Sequence, residues 1–147
     1  MKKNFIVTTA LLDTWELNEN NFLIGKWCEF SEIDFLNKQK ISQKTNIIKN
    51  SHHWNDMEKK NKDYKYIGKK LEELLEIISE KLSTVHSTKE SKEYWRIIIY
   101  SWLSGYMTQM FDRWECIRIF SDKNKDTKFN SNFIDLNDLD YIPNNYI

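Results

Sequence analysis

Three glycines, one proline and two cysteines are all that the 147 residues contain of these types. The glycines form neither a GxGxxG turn nor a Walker loop, which excludes the usual backbone cradles for phosphate. Cys28 and Cys116 stand far apart with no CxxC or CxH spacing, and read as reduced cytosolic thiols. Net charge is lacking too, since lysine plus arginine and aspartate plus glutamate number 22 each. Without a global field, nothing pulls the chain toward nucleic acid or an anionic membrane. There is no GxSxG elbow, and no cysteine sits beside a histidine in sequence. Long hydrophobic runs are also absent. The best stretch, Ile97 to Phe111, has fifteen uncharged residues, Ser101, Ser104, Thr108 and Gln109 among them. A spanning helix needs about twenty apolar residues. The start, MKKNFIVTTALLDTW, mimics a signal peptide, yet no small-x-small cleavage site follows and Asp13, Trp15 and Glu16 arrive at once. The expectation is a soluble chain whose mature N-terminus opens on a strand.

What is present is aromatic surface, at 14 % of residues, and a change of period along the chain. Phe5 to Ala10 is short and β-branched, a buried strand with Thr8 and Thr9 at its carboxyl end. Strand ends of that kind face the ligand crevice in open α/β sheets, although β-branched residues that cap a loop fit equally well. Phe22 to Gly25 reads as a second strand, Lys26 to Leu36 as a short helix, and Ile47-Ile48 as a third strand. Beyond Asp56 the apolar residues Ile67, Leu71, Leu74, Leu75, Ile78 and Leu82 recur at three and four, which predicts an amphipathic helix over about 56–86. Lys69 and Glu73 are spaced as a surface pair, and Gly68 inside the pattern predicts a close approach by another element. Ser87 to Glu90 has capping-box spacing, with Ser91 a second cap candidate, before a helix over about 92–120. That helix is apolar on nearly every side, which predicts burial all round. Residues 121–147 read as a polar loop and the start of a truncated segment. The division expected is an α/β lobe over 1–120 followed by that segment, the front part of a larger protein or one that depends on a partner chain.

Few constellations carry chemistry. His52, His53, Asp56 and His86 make a weak metal set, because adjacent histidines diverge on regular backbone and no HxxxH spacing exists; no metal and no cofactor are expected. His53 and Trp54 precede the long helix, which Asn55 or Asp56 can cap. The alternative is an imidazole for proton transfer beside an indole for stacking on a sugar. Arg96, Gln109, Asp112, Arg113 and Glu115 are the polar exceptions in the aromatic helix. Glu93–Arg96 and Glu115–Arg118 are spaced for salt bridges, while Arg96 or Arg113 equally suits a phosphate or carboxylate, with Asp112 to orient it or act as base.

The order of VTTALLDTW (7–15), IGKWC (24–28), HHWNDMEKKNKDYKY (52–66), LEELLEIISEKLSTVH (71–86), SKEYWRIII (91–99), Trp102-Leu103 and MFDRWE (110–115) resembles the N-terminal part of a transferase family encoded in bacterial O-antigen and surface-carbohydrate loci. The resemblance spans most of residues 5–120, is weak over 31–50 and loose after Phe120. It implies an N-terminal Rossmann-like lobe, a few short parallel strands with two long helices, of a two-lobed glycosyltransferase. The lobe would serve the acceptor side and be inactive without the donor-binding half. The partners implied are a nucleotide-sugar donor and a glycan or lipid-linked acceptor, in a cytoplasmic protein at the inner face of the inner membrane. Carried over by motif, His53 and Asp112 would be catalytic, and Thr8, Thr9, Trp54, Arg96 and Arg113 substrate-binding. The competing reading is a non-catalytic helical domain that docks its aromatic helix into a partner protein. An RNA-binding surface is disfavoured by the zero net charge and by aromatics at core helical spacing.

Overall fold

The computed structural model describes residues 2–11, 14–29 and 45–133. It is an α/β structure. Strands β1 (Asn4–Val7), β2 (Asn20–Leu23), β3 (Asn46–Lys49) and β4 (Asn130–Ser131) form one parallel sheet in the order β3-β2-β1-β4. Two long helices, α1 (Met57–Val85) and α2 (Lys92–Lys123), lie between β3 and β4 in sequence. The chain divides into two compact units, one of residues 1–50 and 120–147, the other of residues 51–119.

In the sheet unit, Val7, Trp15, Leu23 and Cys28 form the buried cluster, with Trp27 and Ile47 against it. Burying a side chain of Val or Leu size contributes about 1.5–3 kcal/mol. The register places Asn4, Asn20 and Asn46 side by side, and their amides form a ladder at 3.0 Å per step. Asn21 is fully buried, but its side chain takes the Glu16 N–H at 2.9 Å and donates to the Glu16 carbonyl at 2.7 Å. A buried amide so satisfied avoids the cost of a lost hydrogen bond. Phe22, Phe120 and Phe129 meet edge-on or tilted, with centroids 5.0–6.4 Å apart.

The strand bounds differ from their sequence signals, and β3 is longer than the Ile47-Ile48 pair that marked it. β1 ends at Val7 rather than Ala10, and β2 covers 20–23 rather than 22–25. Of the helix expected over 26–36, Lys26–Cys28 form a 3-10 turn, and residues 30–36 lie outside the described residues, as does the tail with Pro143. The expected loop after Phe120 contains β4, paired to Phe5 and Ile6. Two residues are too few for a side-chain period, so main-chain pairing alone defines this strand.

The helical unit is a hairpin. Asp56 caps α1 by accepting the N–H groups of Glu58 and Lys59 at 2.9 and 3.1 Å. Ser91 accepts the Tyr94 N–H at 3.2 Å at the start of α2. Leu71, Leu75 and Leu103 make the core, with Leu74, Ile78, Ile99 and Met107 packed on it. Trp95 donates its indole N–H to Ser83 at 2.7 Å and stacks on His86. Four expectations are corrected here. The helix α2 is not buried all round: Leu103 and Trp95 are buried, whereas Ile97 is 86 % exposed and Trp102 and Trp114 are exposed too. The leucine core accounts for this, since α1 meets α2 along one stripe. Gly68 marks no close approach, because nothing lies within 4 Å of the position its Cβ would take. Glu73 pairs with Lys70 at 2.7 Å rather than with Lys69, and Arg96 pairs with Glu72 across the hairpin rather than with Glu93. No helix among the described residues is long and apolar enough to cross a membrane.

Gly68 therefore costs the helix backbone entropy with no packing return. Replacing it by alanine should stabilise the protein by about 0.5–1 kcal/mol, read as a higher urea midpoint at unchanged slope. A loss of stability would show that the site is crowded after all.

Candidate functional site

The stretch from Ser51 to Asp56 opens the helical unit, and its backbone is irregular. His52 is extended (φ −65°, ψ 136°) and His53–Asn55 form a single 3-10 turn. This break brings the two adjacent imidazoles onto one side, stacked with centroids 4.7 Å apart and planes 20° apart. Regular backbone would have sent them to different faces. The His52 Nδ1 accepts the Trp54 N–H at 3.1 Å. The Nε2 atoms of His52 and His53 each lie 2.8 Å from the same oxygen, Oδ1 of Asp112 on α2. Cys116, one turn further along α2, directs its Sγ at that oxygen from 3.8 Å.

A second carboxylate supports the first. Asp63 on α1 accepts the Trp54 indole N–H at 3.0 Å and the Lys59 ammonium at 2.8 Å, and lies 3.7 Å from His53 Nδ1. Lys59 also reaches Glu115 at 2.8 Å. Glu115 is 3 % exposed and takes Arg118 on both oxygens, at 2.7 and 2.8 Å. The Arg118 bonds and then Lys59 overcome the desolvation of Glu115 and hold its carboxyl down at about 2. Burial pulls Lys59 downward, but Asp63 and Glu115 more than offset it, and its pKa is raised.

Aromatic rings wall one side. Trp54 stacks on Tyr64 with centroids 5.3 Å apart and lies parallel to Phe111 at 6.5 Å. Phe111 and Trp114 continue into an apolar groove of about 850 Å³ lined also by Tyr66, Ile77, Tyr106 and Met110.

The structure brings His53, Trp54 and Asp112 together, with Arg113 next in the chain and exposed. His53 cannot meet a substrate directly, as its side chain is 1 % exposed against 20 % for Asp112. Arg96 stands sixteen residues before Asp112, roughly 24 Å along the helix. Its guanidinium forms a two-pronged pair with Glu72 and lies over Tyr100. Thr8 and Thr9 belong to the sheet unit, just past β1. The Thr8 carbonyl accepts the Trp27 indole N–H at 3.0 Å, and Thr9 Oγ1 accepts the Leu11 N–H at 3.1 Å. The weak metal set also resolves differently. Asp56 caps α1 and His86 stacks on Trp95, while Asp112 and Cys116 join His52 and His53. Sequence reasoning placed His52 only in that weak metal set and did not single out Lys59, Asp63 or Cys116 as partners of one site. The available signals were the i,i+4 spacings of Asp112 with Cys116 and of Lys59 with Asp63, each on one helix.

The family model of the LIC12162 family transferases matches residues 4–146 of the chain. Comparison with curated proteins and with solved structures found no match.

Glu115 gives this network a measurable weight. Glutamine in its place should cost about 1–3 kcal/mol in urea denaturation at neutral pH. Because the folded carboxyl is depressed from 4.5 to about 2, its contribution is complete above about pH 4.5 and drains away as the pH falls toward 2. The glutamine variant should lack that acid-dependent part; parallel acid curves for the two proteins would contradict the assignment.

Proposed function

The chain belongs to the LIC12162 family of transferases, and from that premise we propose that it is the acceptor-side part of a glycosyltransferase of surface-polysaccharide assembly. The observation that carries this reading is the convergence of two imidazoles on the partly exposed Asp112 beside the Trp54–Phe111 wall. Sugar transfer needs a group that takes the proton of the acceptor hydroxyl as it attacks the activated donor. Asp112 is the accessible candidate for that base, with His53 and His52 holding its carboxylate in place. An indole face is suited to the apolar side of a sugar ring, which gives Trp54 a stacking role. Arg113, next to Asp112, is the candidate to meet donor phosphate or an acidic sugar. Arg96, Thr8 and Thr9 remain candidates for substrate contacts remote from Asp112 along the chain. The apolar groove that starts at Phe111 favours an acceptor with a hydrocarbon chain, such as a lipid-linked precursor. The donor would be a nucleotide sugar, bound largely by a second lobe or partner chain.

With a nucleotide-sugar panel and a lipid-linked acceptor, the complete protein should transfer sugar. Asp112→Asn should lower kcat about 10²–10⁴-fold, the range of a lost general base. Trp54→Ala should instead raise the acceptor KM. Transfer at the parental rate by Asp112→Asn would remove the base from this site and the reading with it.

A further inference from the structure

We propose that His53, Asp112 and Cys116 form a binding site for a divalent cation of the zinc class, with His52 in support. Ligand atoms of His52, His53, Asp112 and Cys116 all lie within 4.8 Å of one another. Tetrahedral bonds of about 2.0–2.3 Å separate ligands by roughly 3.3–3.8 Å; Cys116 Sγ already stands 3.8 Å from Asp112 Oδ1, while His53 Nε2, at 2.8 Å from it, moves outward on binding. Imidazole, carboxylate and thiolate together are a borderline-soft set that selects zinc over magnesium or calcium. All of them sit on fixed backbone, a 3-10 turn facing two positions one turn apart on α2.

The hydrogen bonding of His53 favours a ligand role for its Nε2. His53 Nδ1 is buried and has no hydrogen-bond partner, although an oxygen of Asp63 lies 3.7 Å from it. With the ring proton on Nε2 facing Asp112, Nδ1 is left as a bare acceptor opposite a carboxylate. With the proton moved to Nδ1, Asp63 gains its donor, but the Nε2 lone pair then faces Asp112 Oδ1 at 2.8 Å. A cation between Nε2 and Oδ1 resolves both: Nε2 becomes a ligand, and Nδ1–H turns to Asp63, as the outer carboxylate of a metal-bound histidine does. His52 differs. Its Nδ1 already accepts the Trp54 N–H, so its proton is on Nε2, directed at Asp112. It therefore steadies the carboxylate rather than binding the cation. Three ligands leave a fourth position open, the pattern of reactive rather than purely structural zinc. Uptake displaces the Cys116 thiol proton to solvent, and the His53 proton moves from Nε2 to Nδ1. The binding stands on this geometry alone. Only its consequence rests on the transferase reading, namely that an acceptor hydroxyl in the open position loses its proton to Asp112 more readily.

Zinc titration of the metal-free protein against a chromogenic chelator should show one site per chain. Cobalt in its place should give a thiolate-to-cobalt charge-transfer band. Cys116→Ser should remove the band, and His53→Ala and Asp112→Ala should abolish tight zinc uptake, with circular dichroism confirming the folded helices. His52→Ala should weaken binding about 10–100-fold, the effect of a lost supporting contact. Cys28→Ala should leave uptake unchanged. No uptake by the parental protein would overturn the proposal, as would uptake that survives Cys116→Ser and His53→Ala or depends on Cys28. Zinc binding without sugar transfer by the complete protein would instead sink the glycosyltransferase reading and leave the cation site standing.

Discussion

Glu115 is a carboxylate withdrawn from water where α2 meets α1, and an unpaired charge in that position would cost several kcal/mol. Its two oxygens are therefore committed, to Arg118 on its own helix and to Lys59 on the other. That commitment fixes the axial register of the hairpin at the end where Asp112 lies. The leucine core around Leu75 and Leu103 supplies the larger favourable term, but apolar contact is non-directional and tolerates small slides. A charge pair with defined hydrogen-bond geometry does not.

From Glu115 the constraint passes outward through shared atoms. Lys59 divides its ammonium between Glu115 and Asp63, so Asp63 is placed by the same contact that sets the register. Asp63 in turn holds the Trp54 indole and faces the ring of His53. His53 meets Asp112, three residues before Glu115 on α2. The path thus closes on the helix where it began. Displacing any member strands a buried polar group on the next, which is how a partly satisfied network becomes costly. Asp112 is left partly exposed, as His52 and Lys59 are, and is held from several sides.

The helices were legible because their signals are local: three-and-four apolar spacing for α1, and cap residues Asp56 and Ser91 at the two N-termini. The burial of α2 was not, since an all-round apolar sequence says what a helix can bury and not which neighbours are present. Ile97 and Trp102 are apolar like Leu103 and have a different environment. Charge partners were read only within one helix. Glu115–Arg118 is such a pair, whereas Arg96 takes Glu72 and Glu115 takes Lys59 across the hairpin, at separations no spacing rule reaches. β4 escaped for a related reason, as its two residues are defined by the edge of β1 and not by their own side chains.

The histidine pair shows most clearly where sequence spacing stops being informative. Neighbouring side chains diverge by about 100° on a helix and about 180° on a strand, so His52-His53 reads as two unrelated rings. The chain is neither here. One extended residue followed by a 3-10 turn rotates the second imidazole back under the first, and Asp56 then ends the turn by capping α1. The conformation of a single residue, His52, therefore decides whether two nitrogens converge on Asp112 or one does. The Trp54 N–H accepted by His52 Nδ1 holds that conformation and dictates which nitrogen of His52 carries the proton. The six residues from Ser51 to Asp56, rather than either long helix, thus determine the position of both imidazoles and the tautomer of His52.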